Sequence, residues 1–363
     1  MTRTLNLGVA QLGPIARDES RSSAVRRMIE LMEQAHQKKV ELIVFPELAL
    51  TTFFPRWYLE DPAELEAFFE TEMPNQATQP LFDAAARMGI GFYLGYAELC
   101  VENGQRHQFN TSILVDGNGT IIGKYRKIHL PGHSEHEPER PFQHLEKRYF
   151  ETGNLGFPTF DAMDARLGMC LCNDRRWPET FRLLGLKGVE IVMVGYNTPV
   201  HYPLAPQMDH LQDFHNHLSL QAGAYQNGTW VAGAAKAGEE EGCDLIGGSC
   251  IVAPSGEIKV RCETLGDELI TWSCNLDECR DIQDNIFNFS ITLYDTMFLV
   301  FSLVQNGSAS LRKAITVMGD SIITVEKKTY AYTKEKQIIK YNKPRFMRHI
   351  LHVHYRARYV CMQ

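Results

Sequence analysis

A short apolar run that ends in a polar turn constrains the fold of this chain more than any other feature. Residues 165–171 have the length and the apolar composition of a buried strand. At Cys172 the chain turns polar, and Trp177 then opens a helical pattern that ends near Gly185. This order of strand, tight turn and helix places Cys172 at the carboxyl end of a sheet, where open α/β folds bind their ligands. Backbone N–H groups in the first turn of the helix favour a thiolate or a developing oxyanion at that place.

A second polar residue follows a buried strand earlier in the chain. Residues 41–45 form a nearly continuous apolar run, as expected for a strand in a sheet that is covered on both faces. Glu47 comes directly after this run, so it is predicted to lie at the same edge of the sheet as Cys172. A solvated loop carboxylate is the alternative, and the pattern alone leaves it open.

A cationic residue near the end of a predicted hairpin strand is the third candidate. Residues 120–130 follow a turn at residues 117–119, and their side chains alternate between two faces. Lys124 and Arg126 share one face, and Lys127 and His129 share the other. We expect one cationic set to be solvated and the other to reach a site, but alternation does not say which.

Apolar strands and amphipathic helices alternate along the chain in two similar successions. Helices are predicted at residues 20–38, 62–70, 80–88, 177–185 and 211–225, and strands at residues 5–10, 41–45, 91–99, 110–115, 120–130, 165–171, 189–196, 230–236, 245–252, 257–262 and 269–274. Hairpins within both successions make the sheets mixed. Because no linker separates the two successions, residues 1–289 are predicted to form one α/β domain, a sandwich of two mixed sheets with helices outside.

Composition excludes several classes of protein. The nine cysteines are odd in number and have no CxxC spacing, which argues for reduced thiols and against a disulfide scaffold or a zinc ribbon. The first residues lack the apolar core of a signal peptide, and no run reaches the roughly 18 apolar residues of a membrane span. We therefore expect a cytoplasmic protein with no membrane partner. Residues 1–290 carry 25 Lys and Arg against 40 Asp and Glu, an acidic balance that does not suggest a nucleic-acid partner.

A long polar loop at residues 131–148 contains several histidines and glutamates. These residues are His133, His136, His144, Glu135, Glu137, Glu139 and Glu146. Such a cluster is able to bind a metal ion, but its spacing does not match a helical HExxH motif, so no metal is predicted. Long loops in compact domains are more often lids over sites.

Three of these segments together resemble the catalytic motifs of the nitrilase, or carbon–nitrogen hydrolase, superfamily. The Glu47 of Phe-Pro-Glu, the Lys127 of Tyr-Arg-Lys-Ile-His-Leu and the Cys172 of Cys-Leu-Cys-Asn-Asp match its Glu-Lys-Cys triad in order and at strand ends. The resemblance covers residues 3–289. It implies an αββα sandwich, a homodimer or homotetramer, and no metal or organic cofactor. It also implies that Glu146 is a second glutamate that orients the lysine and handles the departing group's proton.

The segment from Cys172 to Glu179 resembles the matching segment of the superfamily branch that hydrolyses N-carbamoyl-D-amino acids. The resemblance implies that Cys172 attacks the carbonyl, Glu47 acts as base, and Lys127 holds the oxyanion with the backbone N–H of Asn173. It implies that Arg175 and Arg176 bind the substrate carboxylate, for which guanidinium forks are suited. It places further residues around the substrate: His129, His144, His215, Asn197 and Thr198.

Several alternatives stay open. Another ureido or aliphatic amide hydrolase of the same superfamily would not require a substrate carboxylate. A catalytically silent interaction protein on this fold and a metal-dependent hydrolase that uses the loop histidines are the remaining rivals. Residues 290–363 match nothing in the family and reverse the charge, because residues 291–363 carry 12 Lys and Arg against 4 Asp and Glu. A divergent basic tail of fused or altered origin, or a module that binds an acidic partner, would explain them.

Overall fold

Two six-stranded mixed sheets form the centre of the fold. The structure is a computed structural model that describes residues 2–140, 142–287 and 289. In chain order the strands are β1 Thr4–Gln11, β2 Leu42–Val44, β3 Gly91–Glu102, β4 Gln105–Val115, β5 Ile121–Arg126, β6 Thr159–Ala162, β7 Ala165–Leu171, β8 Ile191–Tyr196, β9 Trp230–Ala235, β10 Ala237–Glu240, β11 Cys243–Ile246, β12 Cys250–Val252, β13 Ile258–Arg261 and β14 Glu268–Asn275.

The two sheets repeat one plan. The first has the order β14-β1-β2-β3-β4-β5 and the second the order β13-β12-β9-β8-β7-β6, while β10 and β11 form a separate hairpin. In each sheet three neighbouring central strands are parallel, β1-β2-β3 and β7-β8-β9, and each outer strand pairs antiparallel with its neighbour. The carboxyl ends of the parallel strands therefore carry the residues that follow β2, β7 and β8.

Helices cover the sheets. They are α1 Arg21–Gln37, α2 Pro62–Glu66, α3 Gln79–Met88, α4 Glu146–Tyr149, α5 Pro178–Leu186, α6 Gln212–Asn227 and α7 Asp277–Asp281. The predicted apolar face of α1 is buried at Val25, Met28 and Met32, where it packs with α3 against the first sheet. The predicted αββα sandwich of two mixed sheets flanked by helices is confirmed.

The inner faces of the sheets meet directly. The Tyr93 hydroxyl on β3 donates to the carbonyl oxygen of Cys170 on β7, at 2.9 Å, and accepts the N–H of Gly195 on β8, at 3.2 Å. One buried phenol thus joins two backbones of the opposite sheet, so it contributes to the alignment of the strand ends on which the site is built.

Several predicted strands differ in extent from those observed, and β4 begins five residues before the strand predicted at residues 110–115. The strand predicted at residues 245–252 is divided between β11 and β12, because Gly247 and Gly248 both adopt positive φ, 59° and 72°, and break the ladder. The strand predicted at residues 120–130 ends at Arg126, so that Lys127 lies just beyond it. The short strand β6 and the hairpin partner β10 were not predicted, and the polar loop contains the short helix α4.

Helix α6 is confirmed, but the apolar residues that indicated it lie on its outside. Phe214, Leu218 and Tyr225 are 57%, 50% and 42% exposed. The face toward the second sheet instead buries Asn216 and Leu220, together with His217 and Ala224. The helix therefore presents polar side chains to the interior, and one of them reaches the candidate site.

The remaining whole-chain predictions have mixed outcomes. The eight cysteines among the described residues are free thiols, as predicted for them. No helix in the described part of the chain is long and apolar enough to cross a membrane. The predicted basic tail, residues 290–363, lies outside the described residues.

Candidate active site

Glu47 is held at the junction of the two sheets by the turn that follows β2. The N–H of Gly95 donates to the carbonyl oxygen of Pro46 at 3.1 Å, so the turn pairs with β3. From the second sheet, Asn197 donates its backbone N–H to Glu47 Oε2 at 3.1 Å and its Nδ2 to the Glu47 carbonyl oxygen at 2.8 Å. The carboxylate is fully buried. The alternative of a solvated loop glutamate is therefore wrong.

Lys127 joins two buried carboxylates. Its Nζ donates to Glu47 Oε1 at 2.7 Å and to Glu146 Oε2 at 2.6 Å, and all three side chains are fully buried. Its backbone N–H donates to the carbonyl oxygen of Asn110 at 2.8 Å. On the opposite face of the strand, Arg126 pairs with Glu98 at 2.8 Å. The open question of which cationic face reaches the site is thereby answered in favour of Lys127.

Cys172 occupies a strained backbone position directly after β7. Its φ is +42°, in the left-handed region that non-glycine residues seldom adopt. The turn that it begins, Cys172–Arg176, is fastened by Asp174, whose Oδ2 accepts the Leu171 N–H at 3.0 Å and the Tyr125 hydroxyl at 2.7 Å. A sharp, fastened turn of this kind projects a side chain beyond the end of its strand. Cys170 stays within the strand and is fully buried.

The three elements bring a thiol, two carboxylates and an amine to one point. The ligating atoms of Glu47, Glu146 and Cys172 all lie within 4.8 Å of one another, the one such group with metal-binding potential among the described residues. Lys127 Nζ already supplies positive charge to both carboxylates. The arrangement suits proton transfer between a thiol and a carboxylate, followed by attack on a carbonyl carbon.

The shared environment moves the pKa values of the two carboxyl groups in opposite directions. Burial, helped by the neighbouring Glu146 charge, raises the pKa of Glu47 above its usual 4.5 although Lys127 opposes the shift. Burial also acts to raise the pKa of Glu146, but Lys127 and His144 outweigh it and lower that pKa. Two carboxylates with separated pKa values are suited to different roles in proton transfer, and Glu47 is the stronger base of the two.

The pKa values of the Cys172 thiol and the Lys127 amine are both raised. Burial and the charge of Glu47 raise the pKa of Cys172 to about 11, against the influence of Lys127 and Arg175. Burial alone would lower the pKa of Lys127, but the nearby Cys172, Glu146 and Glu47 raise it. Near neutral pH the site therefore rests with a protonated thiol beside a charged ammonium group.

The two arginines predicted to bind a carboxylate differ sharply. Arg175 is buried, and each of its nitrogens donates within the protein: Nε to Asn216 Oδ1 at 3.0 Å, Nη1 to the Cys172 carbonyl oxygen at 2.7 Å, and Nη2 to Thr198 Oγ1 at 2.8 Å. The expectation that Arg175 presents a free fork to a ligand conflicts with these contacts, because both edges of its guanidinium are engaged.

Arg176 has the opposite environment. Its side chain is exposed, and its guanidinium forms no ion pair or hydrogen bond with the part of the chain that the structure describes. Although the side chain reaches solvent, partial burial of its guanidinium and the charge of Arg175 lower its pKa to about 10. An anion docked beside it would relieve both effects.

The other predicted substrate contacts lie at different distances from the thiol. The Asn197 carbonyl oxygen is 3.7 Å from Cys172 Sγ, and the Oδ1 of the same residue is buried without a partner among the described residues. Thr198 is buried and accepts from Arg175. Asn173 is partly exposed and donates its Nδ2 to the His129 carbonyl oxygen at 3.1 Å. Asn197 Oδ1 is therefore the group best able to accept a donor from a ligand.

Two of the three predicted histidines border the site. His129 Nδ1 lies 2.8 Å from Asp174 Oδ1, and its ring stacks on Trp177 at 5.1 Å. His144 Nε2 lies 3.3 Å from Glu146 Oε1. His215 is half-buried on α6, and none of its contacts with the described residues joins it to the cluster. The loop residues His133 and His136 also form no metal-binding group with described neighbours.

Sequence reasoning missed two residues that hold the cluster together. Asn110 donates its Nδ2 to Glu47 Oε1 at 2.8 Å and to Glu146 Oε2 at 3.3 Å from the middle of β4. Asp174 fastens the turn of Cys172. The available signal for Asn110 was an amide side chain at the start of a predicted strand, where burial requires a partner.

Comparison with known proteins gives a consistent assignment. The family model for Carbon-nitrogen hydrolase matches residues 6–284. A nitrilase from Pyrococcus abyssi is 30% identical over 229 residues, which cover 63% of this chain and 74% of that protein. An N-carbamoylputrescine amidase from Solanum lycopersicum is 26% identical over 276 residues, covering 71% and 83%. The crystal structure of a carbon-nitrogen hydrolase from Helicobacter pylori has a TM-score of 0.68 at 22% identity, covering 82% of this chain and 99% of that one.

The fold and the family match define a hydrolase that acts on carbon–nitrogen bonds other than peptide bonds. The chain belongs to the carbon-nitrogen hydrolase family. The predicted superfamily is thereby confirmed, and the particular branch within it stays a prediction.

Proposed function

We propose that this protein hydrolyses N-carbamoyl-D-amino acids to the D-amino acid, ammonia and carbon dioxide. Cys172 is the nucleophile, Glu47 the base, and Lys127 with the Asn173 backbone N–H the oxyanion donors, while Glu146 orients the lysine. The preference for the D configuration depends on the resemblance of the stretch after Cys172 alone. The cluster of thiol, amine and carboxylates supports the chemistry, and the environment of Arg176 supports the substrate class.

The reaction balances in two covalent steps. Glu47 accepts the thiol proton as the sulfur attacks the ureido carbon, and the tetrahedral oxyanion is held near Lys127. Ammonia leaves with a proton returned from the site, and a thiocarbamate remains on Cys172. Water, activated by Glu47, then attacks the same carbon and releases the thiol and an N-carboxy amino acid. This carbamate loses carbon dioxide to give the amino acid. Splitting the reaction in this way helps because a urea-like carbonyl resists direct attack by water.

The substrate class is inferred mainly from the guanidinium group of Arg176, which has no carboxylate partner among the described residues. Arg176 is four residues beyond the thiol, within the same turn, and has no carboxylate partner in the described chain. A substrate carboxylate a few bonds from the attacked carbon would meet this charge. By contrast, an N-carbamoylputrescine molecule, the substrate in the name of a relative, would bring an ammonium group toward it. Two positive charges placed side by side repel each other, so an anionic substrate fits better beside Arg176.

The test compares substrates and arginine variants. N-carbamoyl-D- and L-amino acids, their carboxamide analogues and N-carbamoylputrescine are assayed with the wild type, R176A and R176K. We expect R176A to lower kcat/KM on the D-carbamoyl acid by roughly tenfold to hundredfold, the size of a lost charge-assisted hydrogen bond, and to change little on the carboxamide. R176K should recover part of the loss, because it keeps the charge but not the fork.

Arg182 supplies the control. It lies on α5 and donates to the Gln226 carbonyl oxygen at 2.9 Å, away from the thiol, so R182A should behave as the wild type. Equal losses on the acid and on the carboxamide in R176A would refute carboxylate recognition. Turnover of simple amides or N-carbamoylputrescine in preference to carbamoyl acids would favour the alternative, another ureido or aliphatic amide hydrolase.

The proposal includes the homodimer or homotetramer that the resemblance implies. The exposed apolar residues of α6, Phe214 and Leu218, support a protein contact on that face. Light scattering of the intact chain measures the oligomer directly, and a monomer at micromolar concentration would refute this part.

A further inference from the structure

We propose that Asn216 is a positioning residue for the nucleophile, acting through Arg175, and that α6 thereby helps to set the reactivity of Cys172. The inference rests on the proposed role of Cys172 and deepens it. It assigns Arg175 to the thiol, whereas the sequence suggested a role on the substrate.

The first step is the strained turn at Cys172. A residue held at a φ of +42° without being glycine stays there only where its surroundings fix it. Arg175 Nη1 donates to the Cys172 carbonyl oxygen at 2.7 Å and lies 3.8 Å from Sγ. One guanidinium nitrogen thus touches both the backbone that carries the strain and the sulfur that reacts.

The second step is what fixes Arg175. Its Nε donates to Asn216 Oδ1 at 3.0 Å, and its guanidinium stacks on the Tyr196 ring at 4.4 Å from the centroid. Asn216 is fully buried and donates its Nδ2 to the Tyr196 hydroxyl at 3.0 Å. That hydroxyl has backbone carbonyl oxygens of Gly247 and Gly248 within reach for its own proton. The phenol therefore accepts from the amide, which leaves Oδ1 to face Arg175.

The third step concerns charge. Arg175 forms no ion pair with a carboxylate in the part of the chain that the structure describes, whereas Lys127 is shared between Glu47 and Glu146. A neutral amide at Asn216 holds the guanidinium without neutralising it. The full positive charge of Arg175 therefore remains available to the sulfur when it becomes a thiolate.

This arrangement makes a sharp prediction for the change of an amide to a carboxylate. N216D retains an acceptor for Arg175 Nε and can accept from the Tyr196 hydroxyl, but it adds a negative charge beside the guanidinium. The variant should keep the position of Arg175 and offset its charge. N216A should have the opposite effect, because it leaves the charge of Arg175 unchanged and removes the acceptor that holds its Nε in position.

The experiment measures alkylation of Cys172 by iodoacetamide against pH in the full chain, with fragment mass spectrometry to separate it from Cys170, alongside kcat and KM. We expect N216D to shift the alkylation profile to higher pH by about one unit, so that the rate near pH 8 falls about tenfold. N216A should lower kcat by roughly tenfold to hundredfold with little change in KM, as for a misplaced nucleophile.

The matched control is N227A on the same helix. Asn227 is also buried, but its Nδ2 donates to the Gly223 carbonyl oxygen at 2.9 Å within α6, so its loss should leave the alkylation profile and kcat unchanged. An N216D profile identical to that of the wild type, or an N216A variant that raises KM alone, would overturn the proposal. The two variants are judged separately if one fails to fold.

Alkylation needs no substrate, so it is independent of the proposed function. If C172A retained full turnover, the proposed nucleophile would fail while the alkylation shift still tested the link between Asn216 and the thiol. If the shift were absent in an enzyme that requires Cys172, the link alone would fail.

Discussion

Gly195 lies so close to Glu47 that a side chain at this glycine would enter the space of the glutamate backbone. A methyl group at Gly195 would lie 2.6 Å from the Glu47 nitrogen, and one at Gly95 would lie 2.7 Å from the Glu47 Cα. These glycines belong to β8 and β3, which are in different sheets. The turn that carries Glu47, the proposed base, is therefore packed between two backbones, and its position depends on both sheets.

Replacement of this glycine should damage both stability and turnover. G195A must displace backbone rather than a flexible side chain, so we expect a loss of about 1–3 kcal/mol in the free energy of unfolding. Turnover should fall at least tenfold, because Glu47 moves with its turn. Gly266 has open space where a methyl group would be added and serves as control. Urea unfolding and initial rates measure both effects, and equal behaviour of G195A and G266A would contradict the packing argument.

The two neighbouring cysteines should respond differently to mutation. C172A should abolish turnover, because the proposed nucleophile is lost, whereas C170A should retain most of it. Cys170 is buried within β7, and its pKa is raised well above the usual value by burial and by Asp174. Residual rates of the two purified variants decide the point. Loss in C170A with retention in C172A would reverse the assignment.

The proposed base should be indispensable although its charge is buried. E47Q keeps the shape of the side chain but cannot accept the thiol proton, so we expect kcat/KM to fall by about a hundredfold or more. Glu98 is a matched control, since it is also a buried carboxylate, paired with Arg126 and Lys124 on the other face of the strand. E98Q should retain most activity even where it is less stable. Similar rates in folded E47Q and the wild type would refute the triad.

The thiol should behave as a weak acid. Because burial and Glu47 raise the pKa of Cys172 to about 11, the thiolate fraction is small at neutral pH and grows about tenfold per pH unit below that value. Alkylation of Cys172 by iodoacetamide should therefore rise steadily from pH 7 to pH 10. A rate that levels off near neutral pH would show a lowered thiol pKa and remove the need for Glu47 as base in the first step.

The local hydrophobic pattern of the sequence was sufficient to predict the fold class and the candidate site residues that directly follow strands. The apolar runs before Glu47 and Cys172 predict buried strands that end at these two residues, because hydrophobic periodicity in a short segment indicates which side chains are buried. The motif order then predicted the family, which the comparisons confirm. The same pattern failed at Gly247 and Gly248, where consecutive positive φ values divide a predicted strand.

By itself, the sequence determined which residues end the buried strands and therefore which side chains meet at the sheet edge. Only the tertiary structure decided which contacts each of two adjacent residues makes there. Arg175 and Arg176 are neighbours of one type, yet the first is enclosed by Thr198 and Asn216 and the second is left without a partner in the described chain. Those contacts come from the turn after β8 and from α6, far along the sequence. A local pattern carries no information about which distant elements will pack against it.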